Sequence, residues 1–140
     1  MDEGNHHRPP GQLLAGTLIL IVEDMDDLRS LLARLLERSG AEVVAASSGS
    51  EALGLFDRGL EPTLVVSDLC MPGMGGCELL TVVRRIPLAV QPPAVALTAL
   101  PRHEHRGRAV LAGFDEYVEK PADGPQLVAL LASLVHVAAP

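Results

Sequence analysis

Lysine is nearly missing from this chain: ten arginines stand against one lysine, Lys120. A bias of that kind reflects genome base composition, so a lysine kept against it points to chemistry. Cysteine is scarce too. Cys70 and Cys77 are too few for a disulfide framework and fit a reducing compartment. A long hydrophobic run is also lacking, since the longest, residues 13–22, holds only ten residues and cannot span a bilayer. Asp2 and Glu3 precede it, and Glu23-Asp24 follow where a signal peptide would place small residues, so it reads as a buried strand. Nor is there a positive excess. A net charge of -7 and a pI near 5.1 argue against non-specific binding to nucleic acid or an anionic membrane surface. The expected location is cytoplasmic, with no membrane and no direct nucleic-acid partner.

What is present fits one folded domain: 140 residues can bury a core, and 48% hydrophobic content excludes a disordered chain. Residues 1–16 are rich in Gly, Pro and polar groups without periodicity and read as a flexible tail, with His6 and His7 as solvated histidines rather than metal ligands. The domain is expected over residues 17–138. Strands are predicted at 17–23, 42–46, 63–67, 94–98 and 116–119. Helices are predicted at 26–39 (capped by Asp26), 48–58, 76–86, 102–112 and 124–137, several closed by glycine.

Five β–α units in succession imply a parallel sheet with helices on both faces. In such sheets ligands bind at the carboxyl ends of the strands. The unusual polar residues fall there: Glu23 and Asp24 after strand one, Asp68 after strand three, Thr98 ending strand four and Lys120 after strand five. Three clustered carboxylates repel, each pair by roughly 4 kcal/mol at about 4 Å and an effective dielectric near 20. They therefore need a cation or raised pKa values. An oxygen-only set suits Mg²⁺. Lys120 adds a point charge for a carboxylate or phosphoryl oxygen, and Thr98 a hydroxyl donor.

Other chemistries fit less well. A haloacid-type phosphatase needs a second acid two residues after its nucleophile, where Cys70 stands. The P-loop pattern GxxxxGK[ST] is absent, and the loop after strand one, EDMDD, would repel the phosphate of a flavin nucleotide.

The segments ILIVED (19–24), VVSDLCMPGMGG (65–76), ALTA (96–99) and YVEKP (117–121) resemble, in order, the motifs of response-regulator receiver domains. The resemblance implies a flavodoxin-like, doubly wound five-stranded sheet of order 2-1-3-4-5. It implies that Asp68 takes a phosphoryl group from the phosphohistidine of a sensor histidine kinase or phosphotransfer protein. It further implies Mg²⁺ (or Mn²⁺) on Glu23, Asp24, Asp68 and the backbone carbonyl of Cys70, with Thr98 and Lys120 on the phosphoryl oxygens. The Lys120–Pro121 bond would be cis, and Thr98 and Tyr117 would form the switch pair. Beyond its own phosphorylation and dephosphorylation such a domain is not an enzyme.

A carboxylate is a competent nucleophile for an aspartyl phosphate. The added charge would draw Thr98, let Tyr117 turn inward, and bias the face built from helix four, strand five and helix five. That face would meet a downstream protein or a second copy of the chain in a homodimer. Cys70 and Leu100 stand two residues past Asp68 and Thr98, at positions that by the family resemblance flank the path of hydrolytic water, and predict a long-lived phosphoryl group. Gly107 and the lack of an apolar stripe in its first half predict a short or mobile helix four. The alternative function is a pseudo-receiver that acts by protein contact without phosphorylation.

Overall fold

The structure is a computed structural model and describes residues 10–138. The run LILIV forms β1 (Leu18–Val22) at the centre of the sheet. Successive strand residues point to opposite faces, so Leu20 and Val22 enter one core while Ile19 and Ile21 enter the other. The remaining strands are β2 (Glu42–Ala46), β3 (Leu64–Ser67), β4 (Ala94–Thr98) and β5 (Glu116–Glu119). All pair in parallel, in the order β2-β1-β3-β4-β5. The helices are α1 (Asp26–Arg38), α2 (Gly49–Asp57), α3 (Gly76–Val83), α4 (Arg102–Ala112) and α5 (Gly124–Ala138). Residues of α2, α3 and α4 pack into the core of one sheet face, and those of α1 and α5 into the other. The fold expected from the motifs is the fold observed. Among the described residues no helix is long and apolar enough to cross a membrane.

Three local expectations need correction. Residues 1–9 of the expected tail, with His6 and His7, lie outside the described residues, but residues 10–16 are not a loose extension. Pro10–Gln12 form a 3-10 turn and Leu14 is fully buried. The Leu14 N–H donates to the Ser39 carbonyl at 2.8 Å, and the Thr17 hydroxyl donates to the Leu14 carbonyl at 2.6 Å. The leucine pair 13–14 supplies an apolar anchor that the polar composition around it concealed.

Asp26 does not cap α1. Met25 holds that position without a side-chain bond, and Asp26 and Asp27 lie in the first turn, where their charge favours the helix dipole. Finally, α3 stops at Val83 rather than at residue 86. Pro87 disfavours helical backbone at Ile86, and the chain turns away instead: the Ile86 N–H donates to the Val83 carbonyl at 3.0 Å and the Leu88 N–H to the Ile86 carbonyl at 2.8 Å, with the Gln91 side-chain amide as a second donor to both, at 3.0 and 2.9 Å.

Candidate functional site

Strand register brings the polar residues to one edge. The Asp68 N–H continues the ladder by donating to the Val22 carbonyl at 3.0 Å, so the residues after β3 lie beside those after β1. Across the sheet, Ser67 pairs with Ala96 and Thr98 with Glu119, and the Lys120 N–H donates to the Thr98 carbonyl at 2.8 Å. Thr98 is therefore the last residue of its strand, and Glu23, Asp24, Asp68 and Lys120 sit one or two positions beyond the ends of theirs, along one edge of the sheet.

Glu23, Asp24 and Asp68 each offer an oxygen, and these atoms all lie within 4.8 Å of one another. Glu23 is 3% exposed and Asp68 8%. The Lys120 ammonium reaches into this group, donating to Glu23 Oε1 at 2.7 Å and to Asp68 Oδ2 at 2.9 Å. Burial works against the charge on Lys120, but the hydrogen bonds and negative charge of Glu23 and Asp68 outweigh it and hold the ammonium above its usual range. One ammonium against three carboxylates leaves the cluster negative. Hard oxygen donors in a half-closed, negative crevice fit a divalent cation.

Backbone and neighbouring groups fix the acids' orientation. Glu23 Oε2 accepts from the Met25 N–H at 3.1 Å, and Asp68 Oδ1 accepts from the Cys70 N–H at 3.0 Å. The Lys120–Pro121 peptide bond is cis, as expected. Thr98 is buried at the end of β4, its hydroxyl oxygen accepting from the Leu100 N–H at 3.3 Å. The Tyr117 ring lies inside, 3% exposed, and its hydroxyl donates to the Leu100 carbonyl at 2.7 Å. The inward ring expected of a phosphorylated domain is thus the position seen here. The Cys70 thiol is exposed and Cys77 half-buried, both free.

Two positioning groups were not singled out from the sequence. Arg29 donates from Nη1 to the Glu23 carbonyl at 2.9 Å and pairs with Asp26 at 2.7 Å, tying the first turn of α1 to the end of β1. Gly76 opens α3 directly against the strand end, its N–H donating to the Leu69 carbonyl at 3.0 Å. The Gly75-Gly76 pair at the start of a helix was a visible signal of this close approach. Arg29, six residues from Glu23 and across a turn, had none.

Fold and site together define a doubly wound α/β domain with a carboxylate centre able to hold a divalent cation. The chain belongs to the response regulator receiver domain family, whose family model matches residues 19–132. It is 46% identical over 120 residues to a 14.6 kDa protein of Leptolyngbya boryana, covering 86% of this chain and 91% of that one. It is 32% identical over 128 residues to the phosphate regulon transcriptional regulatory protein PhoB of Pseudomonas aeruginosa, covering 91% of this chain but 55% of the regulator. The chain thus spans about half the length of the PhoB-type regulators it matches. Among solved structures, Thermotoga maritima TrrA in complex with Mg²⁺–BeF matches with a TM-score of 0.74 at 32% identity, over 84% of this chain and 98% of that one. Vibrio cholerae chemotaxis protein CheY4 matches with a TM-score of 0.79 at 26% identity, over 86% and 98%.

Proposed function

We propose that Asp68 accepts a phosphoryl group from a phosphohistidine on a sensor histidine kinase or phosphotransfer protein, and that the change is read by a protein partner on the face formed by α4, β5 and α5. The observation that carries this reading is the Lys120 bridge to Glu23 and Asp68 beside a third acid. An Asp68 carboxylate oxygen attacks phosphorus, the P–N bond to the donor histidine breaks, and the imidazole leaves with the electron pair. Glu23, Asp24, Asp68 and the Cys70 carbonyl are the residues that would hold Mg²⁺, with Mn²⁺ as a substitute. The metal supplies charge neutralisation for the in-line transfer.

The chain's own groups do the rest. The Met25 and Cys70 amides hold Glu23 and Asp68 in place, and Lys120 keeps a positive charge over the attacking carboxylate. Thr98 donates its hydroxyl to the incoming oxygens, and the Tyr117 ring, already inward, holds the space beside it. The reducing cytoplasm is the compartment this chemistry and the two free thiols fit.

Acetyl phosphate or beryllofluoride with Mg²⁺ tests the reading. An altered amide spectrum around residues 23–25, 68–70 and 98–100, lost in Asp68→Asn, is expected. An unchanged spectrum would instead favour the phosphorylation-independent pseudo-receiver. Cys70 and Leu100 are poorly suited to orient hydrolytic water, so the phosphoryl group should persist for minutes or longer. Its loss within seconds at neutral pH, followed with ³²P, would overturn that expectation.

A further inference from the structure

The helix α4 buries almost nothing. Of its residues, all described, Ala109 alone is buried, whereas the apolar side chains of Val110 and Leu111 are 49% and 89% exposed. Its first seven residues, RHEHRGR, hold three arginines against one glutamate in a chain whose net charge is -7. Arg102, Arg106 and Arg108 are all exposed, and among the described residues no ion pair joins any of them to a carboxylate.

Residues four apart on a helix lie on one row. Arg102, Arg106 and Val110 form one row; His103, Gly107 and Leu111 form the row beside it. Gly107 has nothing within 4 Å of where a Cβ would stand, so the backbone is bare in the middle of the second row. Arg102, His103, Arg106 and Gly107, with Glu119 of β5, line an open concavity of about 490 Å³ there. The Glu119 carboxylate in it is engaged by the Arg102 backbone N–H. One end of this surface is thus cationic and without ion pairs, the Arg102 Nη1 reaching only the Tyr117 carbonyl at 3.5 Å; its middle is a notch, and its far end is apolar.

We propose that this surface of α4 docks an acidic, leucine-bearing segment of a protein partner, with carboxylates on Arg102 and Arg106 and an apolar side chain against Gly107, Val110 and Leu111. This rests on the reading of α4–β5–α5 as the output face and names the chemistry of its partner. Charge complementarity selects an acidic segment, since guanidinium groups without a carboxylate partner gain most from one. The exposed Val110 and Leu111 select against a purely ionic ligand such as nucleic acid, which would leave that apolar surface in water.

The probe is a synthetic fourteen-residue peptide with four glutamates and two leucines spaced four apart on an alanine background, titrated into ¹⁵N-labelled protein with and without beryllofluoride and Mg²⁺. Amide shifts confined to residues 102–111 and 116–119 are expected. Arg102→Glu with Arg106→Glu should weaken binding at least tenfold, as should serine in place of the peptide's leucines. The proposal is overturned if the peptide moves no α4 amide, if the serine peptide binds equally well, or if a single-stranded oligonucleotide of equal charge binds better. If beryllofluoride shifts the Asp68 region while the peptide leaves α4 unmoved, only this docking proposal fails. If beryllofluoride shifts nothing while the peptide binds, only the phosphorylation reading fails.

Discussion

Gly76 has no side chain, and the geometry of Asp68 depends on it. A Cβ at this position would collide with the Asp68 carbonyl oxygen and come within 3.0 Å of Leu69 Cα, both backbone atoms that cannot swing aside. Gly76→Ala should therefore push the β3–α3 loop away from the acids. Overpacking of this kind costs about 1–3 kcal/mol, and a lower urea midpoint together with weaker beryllofluoride binding is the expected result. Unchanged values for both would show that the loop yields freely. Tyr117 makes a second single-residue test. Burial first, and then the negative charges of Glu119, Cys77 and Asp68, raise its phenol above the ordinary value of 10.0. The folded state thus prefers the protonated ring. Its contribution to stability is fully present below pH 10.0 and is lost as pH rises through the folded-state value. Because this is the chain's single tyrosine, tyrosinate absorbance reports it alone, and its midpoint should lie above that of the urea-unfolded chain. A midpoint at or below the unfolded value would contradict the inward ring.

At the scale of elements, α4 carries the clearest consequence. Gly107 sits inside the helix with open space at its Cβ position. Gly107→Ala should stabilise the domain by up to about 1 kcal/mol through helix propensity alone, read as a higher urea midpoint. A fall in the midpoint would mean that the helix needs its weak point to pack. Of the two alternatives expected from the sequence, a short helix is excluded: α4 runs over all of Arg102–Ala112, where Gly113 at φ 118° closes it and the Phe114 N–H reaches back to the Ala109 carbonyl. The central strands β1, β3 and β4 were legible because a strand buried on both faces reads as a nearly unbroken apolar run, whereas the strand order came from the family resemblance. The acids and Lys120 were legible because strand ends in a parallel sheet share one edge. The burial of Leu14 was only half legible: it begins the apolar run 13–22, but the Gly- and Pro-rich residues before it led to its assignment to the tail. The early end of α3 had a sequence signal in Pro87, but its second support had none: Gln91, eight residues past Val83, adds a side-chain donor to the Val83 and Ile86 carbonyls.

Across the whole molecule, the charge distribution is the property that links fold to function. The acids of the crevice add to an overall charge of -7, and the one lysine of the chain is spent among them. A divalent ion bound only by the folded state stabilises it by mass action, about 2.7 kcal/mol at a hundredfold excess over Kd. For a domain of this size that corresponds to a rise in Tm of roughly 10 °C. Mg²⁺ should therefore raise Tm in a saturable way at constant ionic strength, and Asp24→Asn should remove most of the effect by deleting one donor. Lys120→Met separates the ion's role from that of the ammonium. It leaves buried Glu23 and Asp68 facing each other without their internal cation, a loss of about 3–5 kcal/mol for a broken buried pair. The metal-free variant should therefore melt well below the parent chain, while its Mg²⁺-dependent rise should be larger, because the ion then offsets repulsion that Lys120 had been offsetting. Equal increments in the two proteins would mean that the ion and the ammonium act on different charges, and that the crevice is not one electrostatic unit.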